Sequence, residues 1–426
     1  MTRRLVVLAA VFAVAVIGAC NENLDSGAVC PSLCPAQNVA IHDTLIDPVL
    51  LFDSTYVGFP ERGTELEMLL ATRGDTLEVR GVVRFDTLTF FYTPAGDTSH
   101  TIVHIDSSRV RLVLDRIGSK IPSSVTFEVY DVDDTVSADT STAAVLSLFR
   151  ASQRIGRRTF LKDSLTDTLF VPLSDSAVLD KVFNKRHLRL GLRLSGSGSV
   201  SLRVLTTEGG NPAQVLYHPT TTDTTIKLLS VSPYSSTPVG VDLPEVQQDL
   251  TDYEVVAKYA FPQYPNTMDV GGIPGRRSYL RFSLPSYITD SNTVVRATLM
   301  LTQRPLPFGD ASDTMIVHAH VALAGPDVHD LRRATNIITS SGLLVSDSLL
   351  VTPRDSGLKT IEMYSLLRAW GNQRTLVNAP PRAVVLRASP EALLPLESRF
   401  FSSSAPAGLR PVMRISYIPR VNFGVP

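Results

Sequence analysis

Val125-Thr126-Phe127-Glu128-Val129-Tyr130-Asp131-Val132 decides the fold class of this chain. Its most apolar residues, Val125, Phe127 and Val129, fall on every second position. That period belongs to a strand, which turns successive side chains to opposite faces. One face is expected to be buried and the other wet. Similar runs, bounded by Gly, Pro, Asp and Ser, occur at Leu77–Phe85, Arg109–Leu114, Leu188–Ser195 and Val200–Thr206. Helical windows are few: Ala143–Arg150, Ala177–Lys185, and Ile361–Trp370, where Ile361, Tyr364 and Leu367 share a helical face. Many short strands between turn signals predict a sandwich or jelly roll.

The strands recur in order along the chain. Arg80-Gly-Val-Val-Arg84-Phe85 is answered by Arg277-Ser-Tyr-Leu-Arg281-Phe282. Arg109-Val-Arg-Leu112-Val-Leu114 is answered by Arg296-Ala-Thr-Leu299-Met-Leu301, and Phe127–Val132 by Val317–Ala322. Asp163-Ser-Leu165 matches Asp347-Ser-Leu349. Leu190-Gly-Leu192-Arg193-Leu-Ser195 matches Val384-Val-Leu386-Arg387-Ala-Ser389, and Tyr217-His-Pro219 matches Tyr417-Ile-Pro419. Six blocks in an unbroken order read as a duplication. The expectation is an all-β chain of two tandem jelly-roll-like antiparallel β-sandwiches, at 41–220 and 237–420, with a Thr/Ser/Pro linker at 221–236 and a tail at 421–426.

The bulk numbers suit that reading. A length of 426 residues allows two or three domains, and 44% hydrophobic with 19% charged residues supports sizeable cores. Lys+Arg (40) and Asp+Glu (41) cancel, so no global field steers nucleic acid to the chain. A lipid-embedded barrel is rejected, because 28 prolines suit continuous ladders poorly and aromatic girdles are missing.

The N-terminus reads as a bacterial lipoprotein signal over residues 1–19. Arg3 and Arg4 precede an apolar stretch, Leu5–Val16, too short for a typical spanning helix. Ile17-Gly18-Ala19-Cys20 then has the form of a lipobox: an aliphatic residue, two small residues and a cysteine. Cleavage between Ala19 and Cys20 would leave a diacylated Cys20 as a durable anchor. In enterobacteria an Asp after that cysteine favours the inner membrane, so Asn21 favours the outer one. Residues 20–40 read as a flexible tether, in which Cys30 and Cys34 are spaced for a small local disulfide.

In the second repeat, Arg277–Pro285, Val294–Leu301, Thr314–Ala322, a short helix ending in Trp370, Val384–Ala388 and Pro411–Tyr417 follow one another. This succession resembles the DNRLRE domain, a jelly-roll β-sandwich of secreted and cell-surface bacterial proteins. The resemblance implies a jelly-roll fold and, since some members are carbohydrate-binding modules, a polysaccharide as one partner.

No residue pattern assembles a catalytic set. G-x-S-x-G, H-E-x-x-H, Walker and dinucleotide patterns are absent. His318 and His320 share a strand face and would need further ligands to hold a metal; the bland reading is a wet face opposite Met315, Val317, Ala319 and Val321. Asp131, Asp133 and Asp134 lack the rest of a calcium loop and read as an acidic turn. Ser195-Gly-Ser-Gly-Ser199 reads as a hairpin loop, and Trp370 as core. Tyr234, Tyr264 and Tyr287 are alternative sugar platforms, and His104 with Asp106 defines no triad. The repeated arginines, Arg84/Arg281, Arg109/Arg296 and Arg193/Arg387, suit ion pairs and apolar packing of their stems. The expectation is a non-enzymatic envelope lipoprotein without cofactor or metal, structural or adhesive in role, with carbohydrate binding as the alternative. Its expected partners are the membrane, through Cys20, and a polysaccharide or another envelope protein, with no nucleic acid.

Overall fold

The computed structural model describes residues 40–60, 62–132, 142–234, 250–259, 264–307, 313–322, 345–372 and 382–419. The signal and tether, with Cys20, Cys30 and Cys34, lie outside the described residues, as do Asp133, Asp134 and the tail. His42–Pro426 forms one compact unit, and all that follows concerns it.

The fold is all-β and antiparallel. A leader pair, β1 (His42–Ile46) and β2 (Leu50–Phe59), comes first. The first repeat contributes β3 (Glu67–Arg73), β4 (Leu77–Phe85), a small ribbon of β5 (Phe91–Tyr92) and β6 (His100–Thr101), β7 (Ile105–Lys120), β8 (Ser124–Asp131), helix α1 (Thr142–Ser147), β9 (Arg154–Leu161), β10 (Thr168–Pro172), α2 (Asp175–Phe183), β11 (Leu188–Ser195), β12 (Ser199–Leu205) and β13 (Gln214–Pro219). A second leader pair follows, β14 (Leu229–Val231) and β15 (Asp252–Tyr259). The second repeat contributes β16 (Thr267–Gly271), β17 (Gly275–Phe282), α3 (Ser286–Asp290), β18 (Asn292–Arg304), β19 (Met315–Val321), β20 (Val345–Val351), β21 (Gly357–Glu362), α4 (Tyr364–Asn372), β22 (Ala383–Ser389), β23 (Glu397–Phe401) and β24 (Val412–Pro419).

The two repeats share one wiring. The first runs β13-β7-β12-β3-β4-β11-β8-β9, with β10 on β7. The second runs β24-β18-β23-β16-β17-β22-β19-β20, with β21 on β18. Long strands turn the corner between layers. Arg109–Val113 of β7 pairs with β10, while Leu114, Asp115 and Lys120 pair with β12. Thr298–Gln303 of β18 pairs with β21, while Gln303 and Arg304 meet β23.

The leaders are exchanged between repeats. β1 and β2 precede the first repeat but pair with β24 and β17 of the second. β15 precedes the second repeat but pairs with β4 of the first, beside β14 on β13. The exchange is matched at the level of side chains. Asp53 on β2 accepts a hydrogen bond from the Ser403 amide, and Asp252 on β15 accepts one from the Thr207 amide at 2.9 Å. The Asp269 amide donates to Thr55 Oγ1 at 3.1 Å, and the Leu69 amide donates to Glu254 Oε2 at 2.9 Å. The strand pairing therefore crosses the sequence boundaries at 41–220 and 237–420: residues 42–59 serve the second sandwich and residues 252–259 the first.

Each repeat has its own core. Val110, Leu112 and Leu114 of β7 face Leu188, Leu190, Leu192 and Leu194 of β11 across the first, and Val178 and Val182 of α2 close it. Val49 and Leu50 of the leader enter the second, beside Val317, Leu386 and Trp370. Each such large side chain contributes about 1.5–3 kcal/mol on burial.

Three sequence expectations need correction. The face carrying Glu128 and Tyr130 is not wet. Tyr130 packs with Val82, Val132, Val145 of α1 and Tyr253 of β15, and Glu128 is buried. An outer helix and the exchanged strand cover that face. Gly191 makes room for this layer, since a β-carbon there would stand 2.7 Å from the Phe149 ring. Ser195–Ser199 is not a hairpin loop. It connects β11 to β12, which are separated by β3 and β4 in the sheet order. Ile361 lies in β21, so α4 begins only at Tyr364.

Candidate functional site

Strand ends of both repeats meet around a cleft of about 320 Å³. Arg73 closes β3, and Thr76 sits in the following turn, donating to the Arg73 carbonyl at 2.9 Å. The Arg73 Nε donates to Thr76 Oγ1 at 3.1 Å, which fixes the guanidinium against the turn. Lys120 closes β7 and pairs with the buried Asp313 of the second repeat. Ser199 and Ser201 of β12 supply hydroxyls, and Arg354 adds a third cation. Leu394, Pro395 and Leu396 form an apolar wall. Just beside it, Arg203 donates from Nε to the Leu393 carbonyl at 3.1 Å and pairs with Asp115 at 3.3 Å. Three cations against one carboxylate suit an anionic or hydroxyl-rich ligand. Among the described residues, no histidine or carboxylate pair lines the cleft to activate Ser199 or Ser201 as a nucleophile.

A second cavity, about 560 Å³, lies where the two leaders cross. Phe59, Pro60, Tyr259 and Pro274 line it together with Glu65 and Glu254. Burial pushes the Glu65 carboxyl up to about 7. Burial, and then the charge of Glu65, holds Glu254 well above the usual carboxylate range. Arg62 stands at the edge, bonded to Thr142 Oγ1 at 2.7 Å and over the Tyr253 ring.

Between the repeats runs a buried ionic network. Glu397 accepts from Arg276, from Arg399 Nε at 2.7 Å and from Tyr259 of the exchanged β15 at 3.0 Å. Arg399 also approaches Asp269 at 3.4 Å. Burial and the Glu397 charge raise the Asp269 carboxyl to about 6 despite both arginines.

The sequence-singled residues are dispersed. His318 and His320 are neighbours, with ring centroids 6.0 Å apart. Burial, then the charges of Arg387 and His318, lower His320 to about 4, and Arg277 adds to the same field. Asp131 pairs with Lys181 at 3.0 Å. Asp106 accepts from Thr220 Oγ1 at 2.6 Å and lies 3.6 Å from His218, so its partners are not those of a triad with His104. Trp370 is buried against Phe282. Tyr264 stacks beneath Arg304 and Arg399, Tyr287 lies against Tyr417, and Tyr234 bridges to Phe85. Five of the six repeated arginines make the ion pairs or apolar contacts their pattern suggested. Arg84 pairs with Asp86, Arg193 with Glu78 and Glu128, Arg296 with Glu362, and Arg387 with Glu391, while Arg109 covers the Phe170 ring. No periodicity marks Arg73, Lys120, Arg354, Glu65 or Glu254, because only the packing of the two repeats makes them neighbours.

Neither a family model nor a curated protein sequence matches the chain. Among solved structures, the chain is similar to the infectious bursal disease virus VP2 subviral particle at a TM-score of 0.14 and 8% identity, covering 91% of this chain and 79% of that one. It is similar to the C-terminal domain of the Streptococcus pyogenes antigen I/II-family protein AspA at a TM-score of 0.14 and 10% identity, covering 84% and 92%. Likenesses this weak carry no argument about fold or function.

Proposed function

We propose that the chain is a lipid-anchored, non-enzymatic protein of the bacterial cell envelope, with a structural or adhesive role and the outer membrane as its site. The lipobox ending at Cys20 supports the anchor. The observation that carries the role is the reciprocal exchange of β2 and β15, which ties two sandwiches into one body. Mass spectrometry of the native protein tests the anchor: a diacylated N-terminal Cys20 is expected, and an unmodified thiol or an uncleaved signal overturns it. Pull-downs from envelope extracts and a deletion strain test the role. Recovery of no partner together with an unchanged envelope would reject it.

Carbohydrate binding is the second reading. The cleft between the repeats favours it, offering cations and hydroxyls opposite the Leu394–Leu396 wall, as a sugar with polar edges and an apolar face requires. The resemblance to DNRLRE domains points the same way. A glycan array probed with the mature chain discriminates, since saturable binding lost on Arg354→Ala supports this reading and flat signals reject it.

A further inference from the structure

We propose that β1–β2 is an exchangeable donor element and that its partner is a second copy of this chain, whose β17 and β24 receive it as they receive the chain's own leader.

The first reason is the edge that β2 covers. β16 meets β17 at Arg276 and β22 meets it at Ser278–Arg281, while β2 runs from Gly275 to Phe282 and pairs with those same residues. A strand has two edges, so β16 and β22 share one and β2 occupies the whole of the other. Likewise β24 has β18 on one edge and β1 on the other. Without a leader the second sandwich presents two open edges, and an open edge recruits a strand.

The second reason is how the leader is attached. Among the described residues, β1 and β2 pair with strands of the second repeat alone, and residues 60–66 connect β2 to β3 of the first. The leader can therefore depart as a unit while β3 to β24 keep their pairing. The other leader, β14–β15, lies between β13 and β16, so its departure would pull on strands of both repeats.

The third reason is the character of the contact. Backbone pairing runs through five positions of β1 and eight of β2. Deep side-chain burial is confined to Val49, Leu50 and Phe59, while Leu51 and Val57 face outward. The pairs that hold β1, Asp43 with Arg414 and Ser416, are exposed. A contact built this way forms equally well between copies. It is also already a contact between repeats, so exchange between molecules needs no new surface.

Each copy offers one leader and one receiving groove on different repeats. Exchange thus yields a reciprocal dimer or an open chain of copies. The chain's own leader competes at an effective concentration of ~1 mM, typical of a short flexible connection. About a tenth of the chains should therefore exchange when refolded at ~100 μM. The inference rests on pairing alone and does not depend on lipidation of Cys20 or on a sugar ligand.

The test uses Thr55 and Ser278, whose hydroxyl oxygens are 2.8 Å apart across β2 and β17. In the full chain carrying Cys20→Ser, Cys30→Ser and Cys34→Ser, Thr55→Cys and Ser278→Cys are made separately and together. The double variant, refolded dilute and oxidised, should cross-link within one chain, which checks the geometry. The two single variants, mixed, unfolded in urea, refolded and oxidised, should give a covalent dimer that grows with protein concentration. Neither single variant alone should give it. A double variant that closes internally, beside a mixture that gives no dimer at any concentration, overturns the proposal, as does an equal dimer yield from one single variant alone. Should the cysteine variants fail to fold, size exclusion of the unaltered chain decides. A dimer is expected after refolding at ~100 μM that returns to monomer when unfolded and refolded dilute. Monomer under both conditions overturns the proposal.

Discussion

Replacing Glu397 by Ala should cost this protein more stability than most substitutions on its surface or in its core. The Glu397 and Arg399 side chains have no exposure, and Arg276 is 8% exposed. Glu397 is the shared acceptor of both guanidinium groups and of Tyr259. Truncation leaves two buried cations that have lost their shared acceptor, with Asp269 still 3.4 Å from Arg399. Breaking a buried pair from one side costs about 3–5 kcal/mol. At roughly 2–4 °C per kcal/mol, the unfolding midpoint should fall by about 10 °C. Equilibrium unfolding in urea, followed by intrinsic fluorescence and circular dichroism, measures the loss. Because Tyr259 lies on the exchanged strand, amide hydrogen exchange in β15 should also accelerate. The double variant Glu397→Leu/Arg399→Met should recover much of the loss, since an apolar replacement leaves fewer charges stranded. A single-variant loss under about 1 kcal/mol would refute the reasoning, because it would place the network at the level of a solvent-screened surface pair.

Two further outcomes follow from the titrating groups. Glu65, pushed up to about 7, is protonated in the folded chain over a range where the unfolded chain has released its proton. Its contribution therefore falls as pH rises from the ordinary carboxylate value toward 7 and is flat above that; Glu65→Gln should gain up to about 3 kcal/mol over the unaltered chain at pH 8 relative to pH 4, as measured by urea unfolding at both values. A gain that does not change with pH would contradict the burial of that carboxyl. His320, lowered to about 4 by burial and its cationic neighbours, should remain neutral, with imidazole proton shifts constant from about pH 5.5 to 8, and a midpoint near the ordinary histidine value of about 6.5 would contradict its placement beside Arg387.

The sequence reached the strands because a strand announces itself by a period of two. Leu77–Phe85 and Leu188–Ser195 match β4 and β11 end to end. The helical window around Tyr364 blurred at its start, because Ile361 continues the alternation of β21 and also fits the helical spacing. The wet face was misjudged at Glu128 and Tyr130. Alternation distinguishes two faces but not whether a helix from residues 142–147 and a strand from residues 252–259 will cover the polar one.

By itself the sequence determined the local states and the duplication, since alternating apolar residues and a repeated order of blocks are properties of neighbours along the chain. Only the tertiary structure decided which repeat each leader completes and which charges share a cleft. Thr55 and Ser278, or Glu65 and Glu254, meet because two bodies fold around one another. A pattern with a period of two residues cannot carry the address of a partner some two hundred residues away, because backbone pairing uses groups that every residue possesses.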